Sequence, residues 1–143
     1  MKSHLILTLG TALLFAACST DPQPINFGKD LCVHCNMTIM DNKFGAEMIN
    51  SKGKAVKFDS GECMINFLRS EQEFNPSRYL IVDYNSNGDL INATDAVFLC
   101  GGSVNSPMGG HLAAFKSPVD AEQTRARLGG EIMTWDEINK LDF

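Results

Sequence analysis

Nothing in this chain is long and apolar enough to span a bilayer. The apolar run at residues 5–17 falls short of the roughly 20 residues a spanning helix needs. Basic runs are missing too: 12 Lys and Arg stand against 17 Asp and Glu, for a formal charge of −5, and losing Lys2 with the leading segment leaves the rest more acidic still. No segment therefore suits a phosphate backbone, which excludes nucleic acid as a partner. An acidic surface instead suits cations or a basic partner. Histidine is scarce, with only His34 and His111 beyond the leading segment. Length excludes a second independent domain, because about 115 foldable residues support a single compact domain with a modest core.

What is present begins with an address. Met1-Lys2-Ser3-His4 is a short basic start, followed by the apolar run and small residues, as in a secretory signal. Phe15-Ala16-Ala17-Cys18 resembles the bacterial lipobox, where cleavage leaves the cysteine N-terminal for acylation. The expected organisation is a lipoprotein signal peptide at 1–17, a lipidated Cys18 with a polar tether containing Pro22 and Pro24 over 18–27, and one folded domain over 28–143. An ordinary signal with Cys18 as a spare thiol is the alternative.

Cys32, Cys35, Cys63 and Cys100 remain for the folded part. In an oxidising compartment four cysteines form two disulfides by default, with three connectivities open. Yet a Cys-x-x-Cys bridge closes too small a loop to constrain the unfolded chain much. Such a pair is more often a metal or redox element.

Period and turn chemistry predict strands at 44–49 and 55–58 around the turn Asn50-Ser51-Lys52-Gly53-Lys54, then a helix at 60–70. Asp59 or Ser60 can cap that helix, and Glu62 suits its first turn. A near-continuous apolar strand is expected at 79–84. The order then repeats: strand at 96–100, a Gly-rich loop at 101–110, strand at 111–115, and a helix capped by Ser117 with Pro118 first and Gly129 at its close. A short strand at 131–134 and a terminal turn or helix at 135–141 complete the chain. The fold class is α+β, two strand-strand-helix (ββα) halves sharing one core, with additional strands.

Within this plan Cys32-Val33-His34-Cys35-Asn36-Met37 packs two thiols, an imidazole and a thioether into six residues. A Cys-x-x-Cys element, a hairpin, and then Cys63 in a helix's first turn follow the order of a treble-clef zinc module. The helical position that should carry the fourth ligand is Ser60. A structural zinc site is almost always closed, whereas thiolate with thioether favours Cu(I). A helix N-terminus is expected to lower the Cys63 thiol pKa. The second soft cluster, Ser106-Pro107-Met108-Gly109-Gly110-His111, sits in the matching loop, where Met108 reads either as a ligand or as an inert surface residue. His111 supports the first reading, since imidazole is the commonest metal ligand. Met40 is a fallback behind Met37; Met48, Met64 and Met133 read as packing residues, and Cys100 as a buried thiol. A thiol-disulfide oxidoreductase using Cys32 and Cys35 and a Zn(II)-binding structural lipoprotein stay open as rival readings.

The ordered set of Cys35-Asn36-Met37, Lys57-Phe58-Asp59-Ser60, Ser106-Pro107-Met108-Gly109-Gly110 and Gly129-Gly130-Glu131-Ile132-Met133-Thr134-Trp135-Asp136-Glu137-Ile138, behind a lipobox, resembles the NosL family of copper-binding lipoproteins. The resemblance covers essentially the whole mature domain. It implies a Cu(I) chaperone rather than an enzyme, supporting denitrification by helping assemble the catalytic copper-sulfide centre of nitrous oxide reductase. The implied partners are that enzyme, its ABC-type membrane maturation complex and the membrane itself, through palmitate-type acylation and facing the periplasm. The implied fold is two ββα-type halves similar to part of organomercurial lyase. Carried over residue by residue, the family's metal ligands fall on Cys35, Met37 and Met108. Cys32, Cys63 and His111 are less general additions that can tighten copper binding, form a resting Cys32–Cys35 disulfide or build a second site. Copper shared between two copies, giving a metal-linked homodimer, is compatible with this set.

Overall fold

The structure, a computed structural model, describes residues 19–143. The signal peptide and the lipidation expected at Cys18 lie outside the described residues. Among the described residues no helix is long and apolar enough to cross a membrane.

Each half is an antiparallel hairpin followed by a helix, as the sequence order predicts. In the first, β1 (Ala46–Asn50) pairs with β2 (Ala55–Phe58), Ala46 opposite Phe58 and Ile49 opposite Ala55. The turn between them needs Gly53, whose φ of +79° is costly for any side chain. Helix α1 (Gly61–Ser70) follows directly. Next comes β3 (Pro76–Val82), which pairs with the free side of β1, and β4 (Leu90–Asn92) completes a sheet ordered β2-β1-β3-β4. The second half repeats the scheme with β5 (Val97–Cys100), β6 (Leu112–Phe115) and α2 (Pro118–Leu128), and β7 (Glu131–Met133) makes a sheet ordered β6-β5-β7. A short α3 (Trp135–Ile138) opens with a capping box formed by Thr134 and Glu137. Strand β4 and the 3₁₀ turns at Gln72–Phe74 and Ala93–Asp95 escaped sequence reading, because three residues carry no measurable period.

The two halves share their main core. Met48, Phe58, Met64 and Ile65 from the first pack with Phe98, Leu112 and Ile138 from the second, while a smaller cluster of Phe44, Leu99, Val104, Phe115 and Ala121 lies under α2. Met48 and Met64 are fully buried, and Met133 is partly buried against the main core. Cys100 departs from expectation: it is only half-buried, at the end of β5.

A larger departure concerns residues 19–27. Read as a tether, they instead form a strap across the outer face of the first sheet. Glu47, Lys57 and Arg78 project from β1, β2 and β3 onto that face and each holds the strap's backbone. The Gln23 amide donates to the Glu47 carboxylate at 3.0 Å, Lys57 Nζ donates to the Pro24 carbonyl at 2.7 Å, and Arg78 donates to the Thr20 carbonyl at 2.8 Å. Ile25 is buried in the core. The strap explains why β1 is buried on both faces: α1 covers one and the strap the other. Burial pushes the Glu47 carboxyl above its ordinary range, and the Gln23 amide and the charges of Lys57 and Arg78 hold part of that back. The sequence signal was masked by two prolines and polar composition, which mark docked extended chain as readily as free linker.

Phe58 ends β2, is fully buried and meets Phe67 of α1 edge-on at 5.3 Å between ring centroids. Phe58→Ala is expected to cost about 3–5 kcal/mol. Val119→Ala, at an exposed site, should stay within about 0.5 kcal/mol. Urea titration of both variants measures the contrast.

Candidate metal centre

The Cys-x-x-Cys segment folds into a knuckle because its backbone bonds to itself. Leu31 and Thr38 form an isolated antiparallel bridge, the Cys32 amide donates to the Met37 carbonyl at 2.8 Å, and the Asn36 amide donates to the Cys32 carbonyl at 2.9 Å. The return requires a left-handed residue, and Asn36 takes it with φ of 61°. Asparagine is among the few non-glycine residues that tolerate that region. The knuckle is stitched to the first half by the Val33 amide on the Lys57 carbonyl at 3.0 Å, and by a 2.7 Å ion pair between Asp30 and Lys57. That pair, led by the hydrogen bond from Lys57, holds the Asp30 carboxyl below its usual range.

Opposite the knuckle, α1 begins. Ser60 is its N-cap and accepts the Cys63 amide at 3.3 Å, so the first-turn position that lacked a cysteine has its hydroxyl committed to the helix backbone. Gly61 allows a close approach here, since a Cβ would lie 2.9 Å from the Ile81 Cδ1 and 3.1 Å from the Leu112 Cδ2. The outcome is that Cys32, Cys35 and Cys63 bring their sulfurs within 4.8 Å of one another, in the one cluster of three or more His, Cys, Asp or Glu ligand atoms among the described residues. All three are free thiols. Three sulfurs around an ion at the usual ~2.3 Å bond length stand about 4 Å apart, so a small closure completes a trigonal thiolate site. Cys32 and Cys63 are sealed, and Cys35 alone is partly open to solvent.

The cluster's electrostatics correct one expectation. Cys63, at the helix start, is not the acidic thiol. The Cys63 thiol donates to Cys32, and backbone amides of Cys35, Asp59 and His34 add to it, so that Cys32 is held well below the ordinary thiol range despite burial. Cys63 is pushed up by that same hydrogen bond, then by burial and the neighbouring thiolate charge, and Cys35 is pushed up chiefly by burial. The helix-end effect at Cys63 is thus outweighed by a direct hydrogen bond to a negative sulfur. Buried Asp59 is pushed up to about 6 by burial, then by the Cys32 charge.

The second loop is anchored to the same helix turn, through a residue that sequence reading took only as a first-turn acid. Glu62 is buried, its Oε1 accepts the Ser106 hydroxyl and the Leu112 amide at 3.4 Å, and its Oε2 has no partner among the described residues. Gly110 permits the approach, since a Cβ there would lie 2.6 Å from Glu62 Cγ. Ser106 in turn accepts the His111 amide at 2.9 Å, and the His111 Nδ1 bonds the Val104 carbonyl. These contacts hold His111 at φ of 57°. The loop is therefore tied to the first turn of α1, with Met108 and His111 exposed at its surface. His111 joins no three-ligand cluster among the described residues. Met37 and Met40 stand exposed on or beside the knuckle, and half-buried Cys100 makes a long 3.9 Å contact with the Gly110 carbonyl.

The NosL family profile matches residues 24–142. A curated relative, the copper-binding lipoprotein NosL of Stutzerimonas stutzeri, is 28% identical over 127 residues, covering 82% of this chain and 67% of the relative. The crystal structure of the copper chaperone NosL from Shewanella denitrificans superposes with a TM-score of 0.71 at 24% identity, over 85% of this chain and 98% of that one, and shares the fold.

Two measurements test this site. Metal-free, reduced protein at pH 7 should show the ultraviolet absorbance of one full thiolate, where ordinary thiols contribute a few per cent each. Cys32→Ser should remove it. A depressed native pKa contributes stability that is complete above the ordinary thiol range and lost as pH falls through the native value, so the band should vanish only on acidification. Ser106→Ala should cost about 1–3 kcal/mol by taking a donor from buried Glu62, and should speed hydrogen exchange at residues 109–111.

Proposed function

The chain belongs to the NosL family, and from that premise we propose that it is an exported, lipid-anchored Cu(I) carrier that supplies copper for maturation of the catalytic copper-sulfide centre of nitrous oxide reductase. The observation that carries this reading is the convergence of three sulfurs, two sealed and one partly open, with the exposed Met37 two residues after Cys35 in the chain. Soft thiolate and thioether donors select Cu(I) over hard ions. Only three cysteines converge, and the Ser60 hydroxyl that stands where a fourth ligand would complete a closed zinc site is spent on capping. A site of low coordination keeps a face at which an incoming ligand can attach before an outgoing one leaves.

The roles divide by exposure. Cys32, already a thiolate, is the charge that attracts and neutralises the cation; Cys63 gives up its proton as the ion replaces it. Cys35 is the entry ligand. Met37 and Met108 are the flexible sulfurs through which copper enters or leaves, with His111 offering Nε2 while Nδ1 is engaged by Val104. Acceptors in this reading are nitrous oxide reductase and its ABC-type membrane complex, and two copies can bridge one ion through their exposed methionines. The same thiols do not favour a thioredoxin-like enzyme, because the Cys-x-x-Cys pair sits in a knuckle before a hairpin instead of opening a helix.

In a competition with a Cu(I) chelator, Cys35→Ser is expected to abolish stoichiometric binding and Met108→Ala to weaken it about tenfold, the scale on which loss of a supporting contact acts. Wild-type affinity for Cys35→Ser rejects the assignment.

A further inference from the structure

The strap reaches the end of the chain's described part without slack. Ser19 is seated on the β1–β2 turn, its carbonyl oxygen 2.5 Å from where a Cβ on Gly53 would stand. From there residues 20–25 are held by Arg78, Glu47 and Lys57 in succession. Cys18 is the next residue in the chain. One peptide unit, about 3.8 Å between Cα atoms, separates it from a docked residue. A lipid on Cys18 cannot hold this domain on a long leash.

We infer that the β1–β2 turn, residues 51–54, is the edge of the domain that rests on the bilayer surface, with Lys52 and Lys54 among the lipid headgroups. The inference rests on acylation of Cys18, stated above as part of the proposed function. Both lysines are exposed, and each suits anionic phosphates. Glu71 and Glu73 are exposed near the same turn, Glu73 lining a surface hollow with Lys52 and Phe74. Charge therefore adds little affinity. The acyl chains supply the binding and the strap supplies the orientation.

The orientation fixes where the metal centre stands. Strand β2 leaves the membrane-facing turn and ends at Phe58, beside the Val33–Lys57 contact that holds the knuckle. Four residues at about 3.3 Å each put the sulfur cluster roughly 13 Å along the hairpin from the turn. An acceptor of the metal must then present its ligands close to the membrane plane.

The test uses the full lipidated chain, purified from membranes and reconstituted into vesicles of phosphatidylethanolamine and phosphatidylglycerol. It is compared with the same chain carrying eight Gly and Ser residues inserted between Ser19 and Thr20, which adds roughly 15 Å of reach. Amine acetylation by a membrane-impermeant reagent is followed residue by residue. Lys52 and Lys54 should react several-fold more slowly in the chain of native length than in the extended one. Lys43, beyond the opposite end of β1 and also exposed, should react equally in both. Equal rates at all three lysines, with both proteins floating with the vesicles, overturn the inference and leave the anchor intact. A native chain that fails to float overturns the anchor reading, and the inference with it.

Discussion

The start of α1 is the constraint from which the rest of the site follows. A helix must find acceptors for its first amides, and Ser60 provides one by accepting the Cys63 amide. That cap marks the first turn, and the buried face of the helix orients three consecutive residues there. Gly61 lets the helix close on Ile81 and Leu112, Glu62 turns inward to hold the second loop, and Cys63 faces the knuckle. Thiol cluster and methionine loop therefore meet at one helix turn, although they arrive from parts of the chain some forty residues apart, as the Glu62–Ser106 bond shows.

Inside the cluster, proton placement is decided by short contacts instead of by the helix as a whole. Hydrogen bonds from the Cys63 thiol and from the backbone at Cys35, Asp59 and His34 lower the Cys32 thiol, so the negative charge is favoured there. Its two neighbours keep their protons at neutral pH, and their raised pKa values mean that the cost of ionising them without a cation appears only as pH climbs past the ordinary thiol range. A trithiol in which one sulfur is charged before the metal arrives offers a cation a destination, while avoiding the repulsion of three buried anions.

Much of this was legible in the sequence, and the reasons are local. Ser60, Ser117, Pro118 and Gly129 are strong helix punctuation, and the two hairpin-helix repeats follow from it. The knuckle was legible because its donors are adjacent in sequence. Less accessible were features that depend on what covers what. Glu47 alternates correctly for an outward residue of β1 and is buried only because the strap crosses it. Glu62 reads as a dipole-favouring first-turn acid, and nothing nearby in sequence names Ser106 as its partner. The error over Cys63 has the same origin: the helix end was visible in the sequence, whereas the sulfur that accepts its hydrogen bond was not.

The uneven burial of the three sulfurs sets an order of events. With Cys32 and Cys63 sealed and Cys35 partly open, an ion held among the three sulfurs would be open to approach from one side only, and a competing ligand would meet Cys35 first. Residence time on the protein then becomes a property of who is knocking: long in the presence of water and bulky chelators, short when a slender sulfur donor is held at the doorway. Tight equilibrium binding and fast delivery are compatible in such a vestibule.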